Sequence, residues 1–312
     1  MSDARRVAVL KGGRSLERQV SLASGTRVEH ALERLGHTAI GIDVGPDLVR
    51  ALNEARPGAV FIALHGRDGE DGTVQELLEA LGLPYTGPRP AGCAFARDKV
   101  LAKHLMLAAG IPTPAFLVFS DTTLKEMGAA DALPGIGARL DFPVVVKPAC
   151  GGSALGVRFA ASPEEVPGAL LAALSYDDKV LVERYVHGRE LAVSVLGGMA
   201  LPIVEAVPHD EDFYDFEARY TIGRTTFHCP AELADEQTAR ALALAAQVAE
   251  LLGLTAGCAR VDLLLEEGTG ALQVLEANAI PGMTETSLTP QAAEAAGIGF
   301  DALVARVLEL AR

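Results

Sequence analysis

Gly257-Cys-Ala-Arg-Val-Asp262 and, fourteen residues beyond that aspartate, Glu276-Ala-Asn-Ala-Ile-Pro-Gly282 decide how this chain is read. Glu266-Glu-Gly-Thr-Gly270 separates two apolar runs, Val261–Leu265 and Ala271–Leu275. That is the pattern of a β-hairpin closed by a glycine-containing loop. Pairing Leu265 with Ala271 puts the even-numbered residues of both strands on one face, because side chains alternate. Arg260, Asp262, Glu276 and Asn278 then point the same way, with Glu276 opposite Arg260 and diagonal to Asp262. Leu263, Leu265 and Leu275 fall on the other face and are expected in the core.

Two carboxylates and an amide oxygen on one surface form a hard oxygen-ligand set suited to Mg²⁺. Such a site leaves positions open for phosphate oxygens. The ordinary alternative is a solvated sheet face with an Arg–Glu pair. Asn278-Ala-Ile-Pro-Gly282 directly after Ala277 favours the site, since a strand has no need to end that way.

At 312 residues the chain is too long for one small core, and two or three domains are expected. Its hydrophobic content of 49% marks a globular rather than a disordered protein. No apolar run is long enough to span a membrane, and Val7–Leu10 is too short for a signal-peptide core, so a cytoplasmic protein is expected. The net charge of −14 argues against nucleic acid or an anionic membrane as partner. An anionic substrate therefore needs a local cluster of positive charge. Cys93, Cys150, Cys229 and Cys258 lack paired short spacing and read as free thiols in a reducing compartment.

Strand and helix alternate over the first ninety residues. Strands are expected at Arg6–Lys11, Thr38–Asp43 and Ala59–Leu64, and helices within Leu16–Leu35 and at Gly72–Leu81. This alternation predicts a parallel sheet with helices on its faces. The breaker-rich Gly87-Pro-Arg-Pro-Ala-Gly92 marks a boundary. Beyond it the texture is α+β, with a helix at Lys99–Ala109, strands at Val144–Val146 and Val180–Glu183, and a helix at Asp235–Leu252. The division expected is 1–92, 93–183 and 184–312.

Lys147-Pro-Ala-Cys-Gly-Gly-Ser-Ala-Leu-Gly156 is a glycine-rich loop between two strands, led by a lysine. Successive N–H groups in such a loop can cradle phosphate. An ordinary glycine-rich hairpin explains it equally well, and the residues alone leave both readings open. Lys147 three residues before Cys150 is expected to favour its thiolate. Gly12-Gly-Arg-Ser-Leu-Glu17 sits at a strand-to-helix junction, where parallel sheets bind ligands, but it is not a dinucleotide fingerprint. His65-Gly-Arg-Asp-Gly-Glu-Asp-Gly72 follows another strand at the same sheet edge, which gives His65 a binding role. Tyr214–Gly223, rich in aromatics and charge, is either a surface loop or a lid that excludes water.

Taken in order, these segments resemble the D-alanine–D-alanine ligases of the ATP-grasp superfamily over nearly the whole chain. The last block, through Pro281-Gly-Met-Thr-Glu-Thr-Ser-Leu288, is the most specific. The resemblance implies an α/β fold, α+β overall, in a three-domain ATP-grasp arrangement whose N-terminal domain holds a parallel sheet and precedes two ATP-grasp subdomains. It implies that ATP phosphorylates the carboxylate of one D-alanine and that a second D-alanine displaces the phosphate, for peptidoglycan synthesis. By position it assigns Lys99, Lys147 and, on the lid, Arg219 to the ATP phosphates. Glu183 and Glu190 fall to the adenosine, and Ser153 to the phosphate or lid. Asp262, Glu276 and Asn278 would hold two Mg²⁺, with Mn²⁺ able to substitute. Glu17 would grip the first ammonium, and Arg260 with the Gly282 N–H would hold the oxyanion. Ser287 and the Leu288 N–H would bind the second carboxylate, and Tyr220 would close over it. A homodimer is the expected assembly.

The phosphate loop departs from the commoner Arg-Glu-Gly-Ser-Ser-Val-Gly, and Ala279-Ile280 replaces Thr-Ser. Two other readings stay open: an ATP-grasp ligase for another amino-acid pair, and an ATP-binding regulator without chemistry. Against the second stands Arg260, an oxyanion group that a binder does not need.

Overall fold

The computed structural model describes residues 4–209 and 224–312. The chain begins with β1 (Arg6–Lys11), α1 (Arg18–Arg34), β2 (Thr38–Asp43), α2 (Leu48–Ala55), β3 (Ala59–Ile62) and α3 (Thr73–Ala80). Then follow α4 (Pro90–Arg97), α5 (Lys99–Ala108), β4 (Phe116–Ser120), α6 (Asp121–Glu126), a 3₁₀ helix (Ala129–Gly135) and α7 (Gly137–Leu140). β5 (Val144–Pro148), β6 (Arg158–Ala160), α8 (Val166–Ala173) and β7 (Lys179–Arg184) come next. They precede β8 (Gly188–Leu196), β9 (Met199–Ala200), β10 (Val204–Pro208) and β11 (Thr225–His228). The chain closes with α9 (Asp235–Leu251), β12 (Cys258–Glu266), β13 (Leu272–Asn278), α10 (Leu288–Ala295) and α11 (Phe300–Glu309).

Three sheets result. The first is parallel, in the order β2-β1-β3, as the strand–helix alternation predicts. The second is antiparallel, β4-β7-β5-β6. The third is the long antiparallel sheet β11-β10-β8-β12-β13, with β9 on β8.

Burial explains how they join. Val7 and Val9 of β1 face one apolar cluster and Ala8 and Leu10 another, the period of two that a strand imposes. The first cluster continues through α1 into Cys258, Ala292, Leu303 and Val304. The other runs through Cys93 and Met106 into Val193, Val248, Val261 and Leu263. Both clusters therefore bind the parallel sheet to the long antiparallel one. The four-stranded sheet keeps a separate cluster, centred on Val144, Val146, Val180 and Val182. The C-terminal α11 returns to α1, where Arg34 and Asp301 pair at 2.6 Å.

Two local expectations change. Pro90-Ala-Gly92 is not a loop but the first turn of α4, where proline's missing N–H costs nothing. Gly92 is there for close packing: a Cβ would lie 2.8 Å from the Gly253 carbonyl oxygen.

The hairpin register also differs. Leu265 pairs with Leu272 and Leu263 with Val274, one residue from the expected pairing. An irregularity between Asp262 and Leu263 then shifts the ladder again, so Asp262 faces Glu276 and Arg260 faces Asn278. Two single shifts restore the parity of the faces, and the four polar side chains still share one. Leu275 is the extra residue of this bulge. It lines a cleft instead of joining Leu263 and Leu265 in the core.

Candidate active site

Two cavities meet at the glycine-rich loop between β5 and β6. The larger is lined from the four-stranded sheet by Lys147 and Glu183, from just beyond β7 by Tyr185, and from the long sheet by Glu190, Leu264, Leu275 and Glu276. The other is lined by Glu17, His65, Glu70, Ser153, Arg260, Gly282, Ser287 and Leu288. Gly152 borders both.

In the larger cleft, Glu183 stands on β7 between two lysines. One carboxylate oxygen pairs with Lys147 and the other with Lys103 at 2.7 Å. Lys103 is fully buried and also donates to the Thr113 hydroxyl, which donates to the Val274 carbonyl at 2.8 Å. Burial pushes the Lys103 ammonium down to about 8, although Glu183 pulls it back up. Burial also acts to raise Glu183, but Lys103 and Lys147 more than offset it and hold this carboxyl below its usual range. Lys99, the first residue of α5 after its Asp98 cap, reaches back to the same loop. Its ammonium donates to the Gly151 carbonyl at 2.5 Å and pairs with Glu276 at 3.1 Å.

Lys103→Met leaves Glu183 with one cation in place of two. It is expected to lower stability by about 3 kcal/mol, the usual order for breaking a buried ion pair. A shift of the urea midpoint with unchanged slope measures this, and an unchanged midpoint contradicts the structural role.

On the long sheet, Asp262 and Glu276 sit directly opposite each other. Like charges at such a pair are destabilising, unless a cation lies between or beside them. Here each has a protein cation. Arg260 donates to both oxygens of Asp262, at 2.7 and 2.9 Å, and Lys99 attends Glu276. The Asn278 amide donates to Asp262 at 3.2 Å. Among the described residues no group of three or more His, Cys, Asp or Glu gathers as a metal cage. Two carboxylates and one amide are instead a donor set that fits Mg²⁺ bound largely through phosphate oxygens.

The smaller pocket is built around Glu17, which immediately precedes α1. The Ser153 hydroxyl donates to its Oε1. Ser153 holds a left-handed backbone (φ 53°), uncommon for a residue with a side chain, which aims its hydroxyl at Glu17. A Cβ on Gly152 would lie 2.7 Å from one Glu17 oxygen and 2.8 Å from the other, so only glycine lets the loop approach so closely. Burial, then the neighbouring Glu70 carboxylate, raises the pKa of Glu17, and the Ser153 hydrogen bond only partly counters them. Glu70 goes the other way. Burial would raise it, but the hydrogen bond from His65 and the charge of Arg97 hold it below its usual range.

His65 Nδ1 faces two acceptors, the Ile280 carbonyl at 3.1 Å and Glu70 at 3.4 Å, so this nitrogen carries the proton. Nε2 then accepts from the Ser24 hydroxyl at 3.1 Å. Arg97 joins Glu70 at 3.0 Å to the Cys150 carbonyl at 3.4 Å. At the far end, Ser287 precedes α10 and its hydroxyl accepts the Thr284 N–H at 3.0 Å. A Cβ on Gly282 would lie 2.6 Å from that hydroxyl oxygen. The pocket thus offers a carboxylate to an ammonium, a guanidinium to an oxyanion, and a helix start to a second anion.

Residues 47–88 match the family model for the D-ala D-ala ligase N-terminus, and residues 105–309 match that for the D-ala D-ala ligase C-terminus. The chain belongs to the D-alanine–D-alanine ligase family. A ligase of this name from Gloeobacter violaceus is 44% identical over 310 residues, covering 97% of this chain and 98% of the relative. One from Alcanivorax borkumensis is 46% identical, covering 99% and 94%. Among solved structures, the Bacillus anthracis D-alanine–D-alanine ligase complexed with ATP superposes with a TM-score of 0.84 at 30% identity, covering 98% of this chain and 97% of that one. The VanG D-Ala:D-Ser ligase of Enterococcus faecalis gives 0.82 at 25% identity, covering 99% of both. The α/β class and the ATP-grasp likeness expected from the sequence both hold.

Within this ligase fold the structure gathers Glu17, His65, Ser153, Arg260, Asn278, Gly282, Ser287 and Leu288 at one pocket. Lys99, Lys147, Glu183, Glu190 and Glu276 line the adjoining cleft, and Asp262 borders a small cavity with Glu190 and Glu276. Arg219 and Tyr220, with the rest of 210–223, lie outside the described residues. Cys150 corrects an expectation. It lines an outer cavity with Arg97, Tyr176 and Asp177 and is absent from the lining of the cleft that holds Lys147 and Glu183. Desolvation, with the Asp177 and Asp98 carboxylates, pushes its thiol up to about 11 and outweighs Arg97 and Lys99. His228, the nearest histidine after the proposed lid, is an exposed residue at the end of β11. Sequence reasoning missed Lys103, Glu70 and Arg97. The signal for Lys103 was its spacing, one helical turn after Lys99 on α5.

Proposed function

We infer that the chain is an ATP-dependent ligase that joins two D-alanines into D-alanyl-D-alanine through an acyl phosphate. The observation that carries this reading is the junction at Gly152. A cleft with lysines and paired carboxylates opens there onto a pocket with Glu17 at one side and Arg260 at the other. ATP fits the first, with Lys99 and Lys147 on its phosphates and Glu183 and Glu190 toward the adenosine. The first D-alanine fits the second, its ammonium on Glu17 and beside His65.

A carboxylate is a poor acyl group because its leaving group would be oxide. A donor carboxylate oxygen attacks the γ-phosphorus, a new P–O bond forms, and the bond to ADP breaks. The neutral amine of the second D-alanine then attacks the carbonyl carbon. Arg260 and the Gly282 N–H hold the resulting oxyanion. The attacking nitrogen loses one proton to the departing phosphate or to solvent, the C–O bond to phosphate breaks, and phosphate leaves with the donor's oxygen. Ser287 and the Leu288 N–H orient the acceptor carboxylate, and Ser153 keeps Glu17 in place beside the phosphate loop. Asp262, Glu276 and Asn278 are read as holding two Mg²⁺, or Mn²⁺, which neutralise charge on the transferring phosphoryl group.

Sequence likeness alone assigns Arg219 to the phosphates and Tyr220 to closure over the acceptor. We read the chain as three units, 1–92, 93–183 and 184–312, acting as a cytoplasmic homodimer in peptidoglycan synthesis. The acidic balance argues against nucleic acid as a partner, and no described helix is long and apolar enough to cross a membrane.

Phosphate release from purified protein with MgATP and each single amino acid tests the reading. D-Alanine alone is expected to drive it, with D-alanyl-D-alanine as product, and D-alanine is expected to outcompete D-lactate as acceptor at neutral pH. Release that needs a different amino acid supports the rival ligase, and no release with any supports the regulator.

Glu17 makes the donor step pH-dependent. Its raised pKa means that the free site holds a proton above the ordinary glutamate range, whereas a bound ammonium favours the ionised form. Binding therefore releases a proton in that window. The donor KM is expected to fall as pH rises through the raised value and to level off above it. A donor KM that is flat across this range contradicts the Glu17 assignment.

A further inference from the structure

We propose that Arg27 is a positioning residue for the acceptor half of the site, an inference that rests on the ligase reading above. Residues 281–287, between β13 and α10, contain no helix or strand. They nevertheless carry the Gly282 N–H and the Ser287 hydroxyl and lead into the Leu288 N–H. Their backbone geometry therefore depends on side chains, and α1 supplies those that hold Met283 and the Thr284 carbonyl.

Arg27 donates through one nitrogen to two successive carbonyls, Met283 at 3.0 Å and Thr284 at 2.8 Å. Its guanidinium lies 3.8 Å from the centre of the Phe300 ring on α11, which fixes its plane. One turn earlier on α1, the Ser24 hydroxyl oxygen accepts the Met283 N–H at 3.1 Å. The Met283 residue is thus held at its N–H and its carbonyl by the same helix. The Thr284 residue is held at its carbonyl by Arg27 and at its N–H by Ser287, whose hydroxyl it orients. Turning the Thr284 peptide would turn Ser287 with it. Gly282 is the residue before this clamp, and a Cβ there would lie 2.6 Å from the Ser287 hydroxyl oxygen, so the two residues are packed together.

The same helix starts immediately after Glu17, the donor's residue, so one rigid element sets the spacing between donor and acceptor. None of residues 281–287 lines the larger cleft. Loss of Arg27 should therefore move acceptor binding and leave nucleotide binding alone. Lysine can keep the charge but presents a compact ammonium with no plane to stack and no fixed fork.

The experiment uses Arg27→Met and Arg27→Lys in the full chain. D-Alanine saturation at fixed MgATP resolves donor and acceptor KM, ATP saturation is run in parallel, and thermal unfolding is recorded for each protein. In competition, the ratio of D-alanyl-D-alanine to D-alanyl-D-serine is measured as well. Arg27→Met is expected to raise the acceptor KM about tenfold, on the order expected for a small misplacement of binding groups, with ATP KM unchanged and the product ratio altered. Arg27→Lys is expected to fall between wild type and Arg27→Met. An unchanged acceptor KM and product ratio overturns the proposal. So does a parallel rise of acceptor and ATP KM that tracks lost thermal stability, the mark of general loosening. If Arg27→Met does not fold, Arg27→Lys is judged by the same criteria. Wild-type protein that forms no dipeptide overturns the ligase reading itself, whereas an active wild type with an unaffected variant overturns only the role of Arg27.

Discussion

Glu276→Gln and Asp262→Asn are each expected to lower turnover by about a thousandfold, the scale of losing one preorganised electrostatic contact to a reacting centre. The argument starts from the strand register. Asp262 and Glu276 oppose each other across β12 and β13, a pairing that costs stability unless positive charge is present. Arg260 and Lys99 supply some of it in the described structure. A sheet selected only for stability gains nothing from two facing carboxylates, so their value lies in the charge they gather. Each amide replacement keeps the shape and one acceptor oxygen but removes a negative charge. Thermal midpoints are therefore expected to move by only about a few degrees. The Mg²⁺ concentration for half-maximal activity should rise steeply. Wild-type-like turnover by both variants at low Mg²⁺ would sink the assignment.

Arg260→Met is expected to cut kcat by about a hundredfold to a thousandfold, again on the oxyanion-hole scale. Arg260 is held side-on by both oxygens of Asp262, so its plane is fixed before any substrate arrives. A donor that needs no reorganisation during the reaction is the kind that favours a developing charge. Arg260→Lys keeps the charge but loses the planar fork, and an intermediate kcat is expected. Because Asp262 loses a partner in both variants, the Mg²⁺ dependence is measured alongside. A fall in kcat with a similar Mg²⁺ requirement supports an oxyanion role. A full kcat in Arg260→Met contradicts it.

Much of this site was legible in the sequence because strand parity is a coarse property. Asp262, Glu276, Asn278 and Arg260 share a face under the expected register and under the observed one, since two single-residue shifts cancel in parity. What parity could not give was the identity of cross-strand partners. A bulge between Asp262 and Leu263 exchanged Arg260 for Asp262 opposite Glu276 and carried Leu275 out of the core. The parallel sheet was legible for a similarly coarse reason, the alternation of strand and helix over the first ninety residues.

Long-range side-chain contacts were not legible. Glu17 meets Ser153 across 136 positions and Arg27 meets Thr284 across 257. Nothing in local periodicity encodes such pairs, and only the order of motifs hinted that they converge. The Cys150 expectation failed for a related reason. The lysine three residues away in sequence was visible, whereas Asp177, which lies against the same loop, was not.

The acyl phosphate is the central claim, and oxygen tracing tests it most directly. D-Alanine labelled with ¹⁸O in both carboxylate oxygens is incubated with the protein and MgATP, and phosphate, nucleotide and dipeptide are examined by mass spectrometry. The mechanism predicts one ¹⁸O in inorganic phosphate for every dipeptide formed, with none in the nucleotide. Dipeptide accompanied by unlabelled phosphate, or by label in AMP, would contradict it.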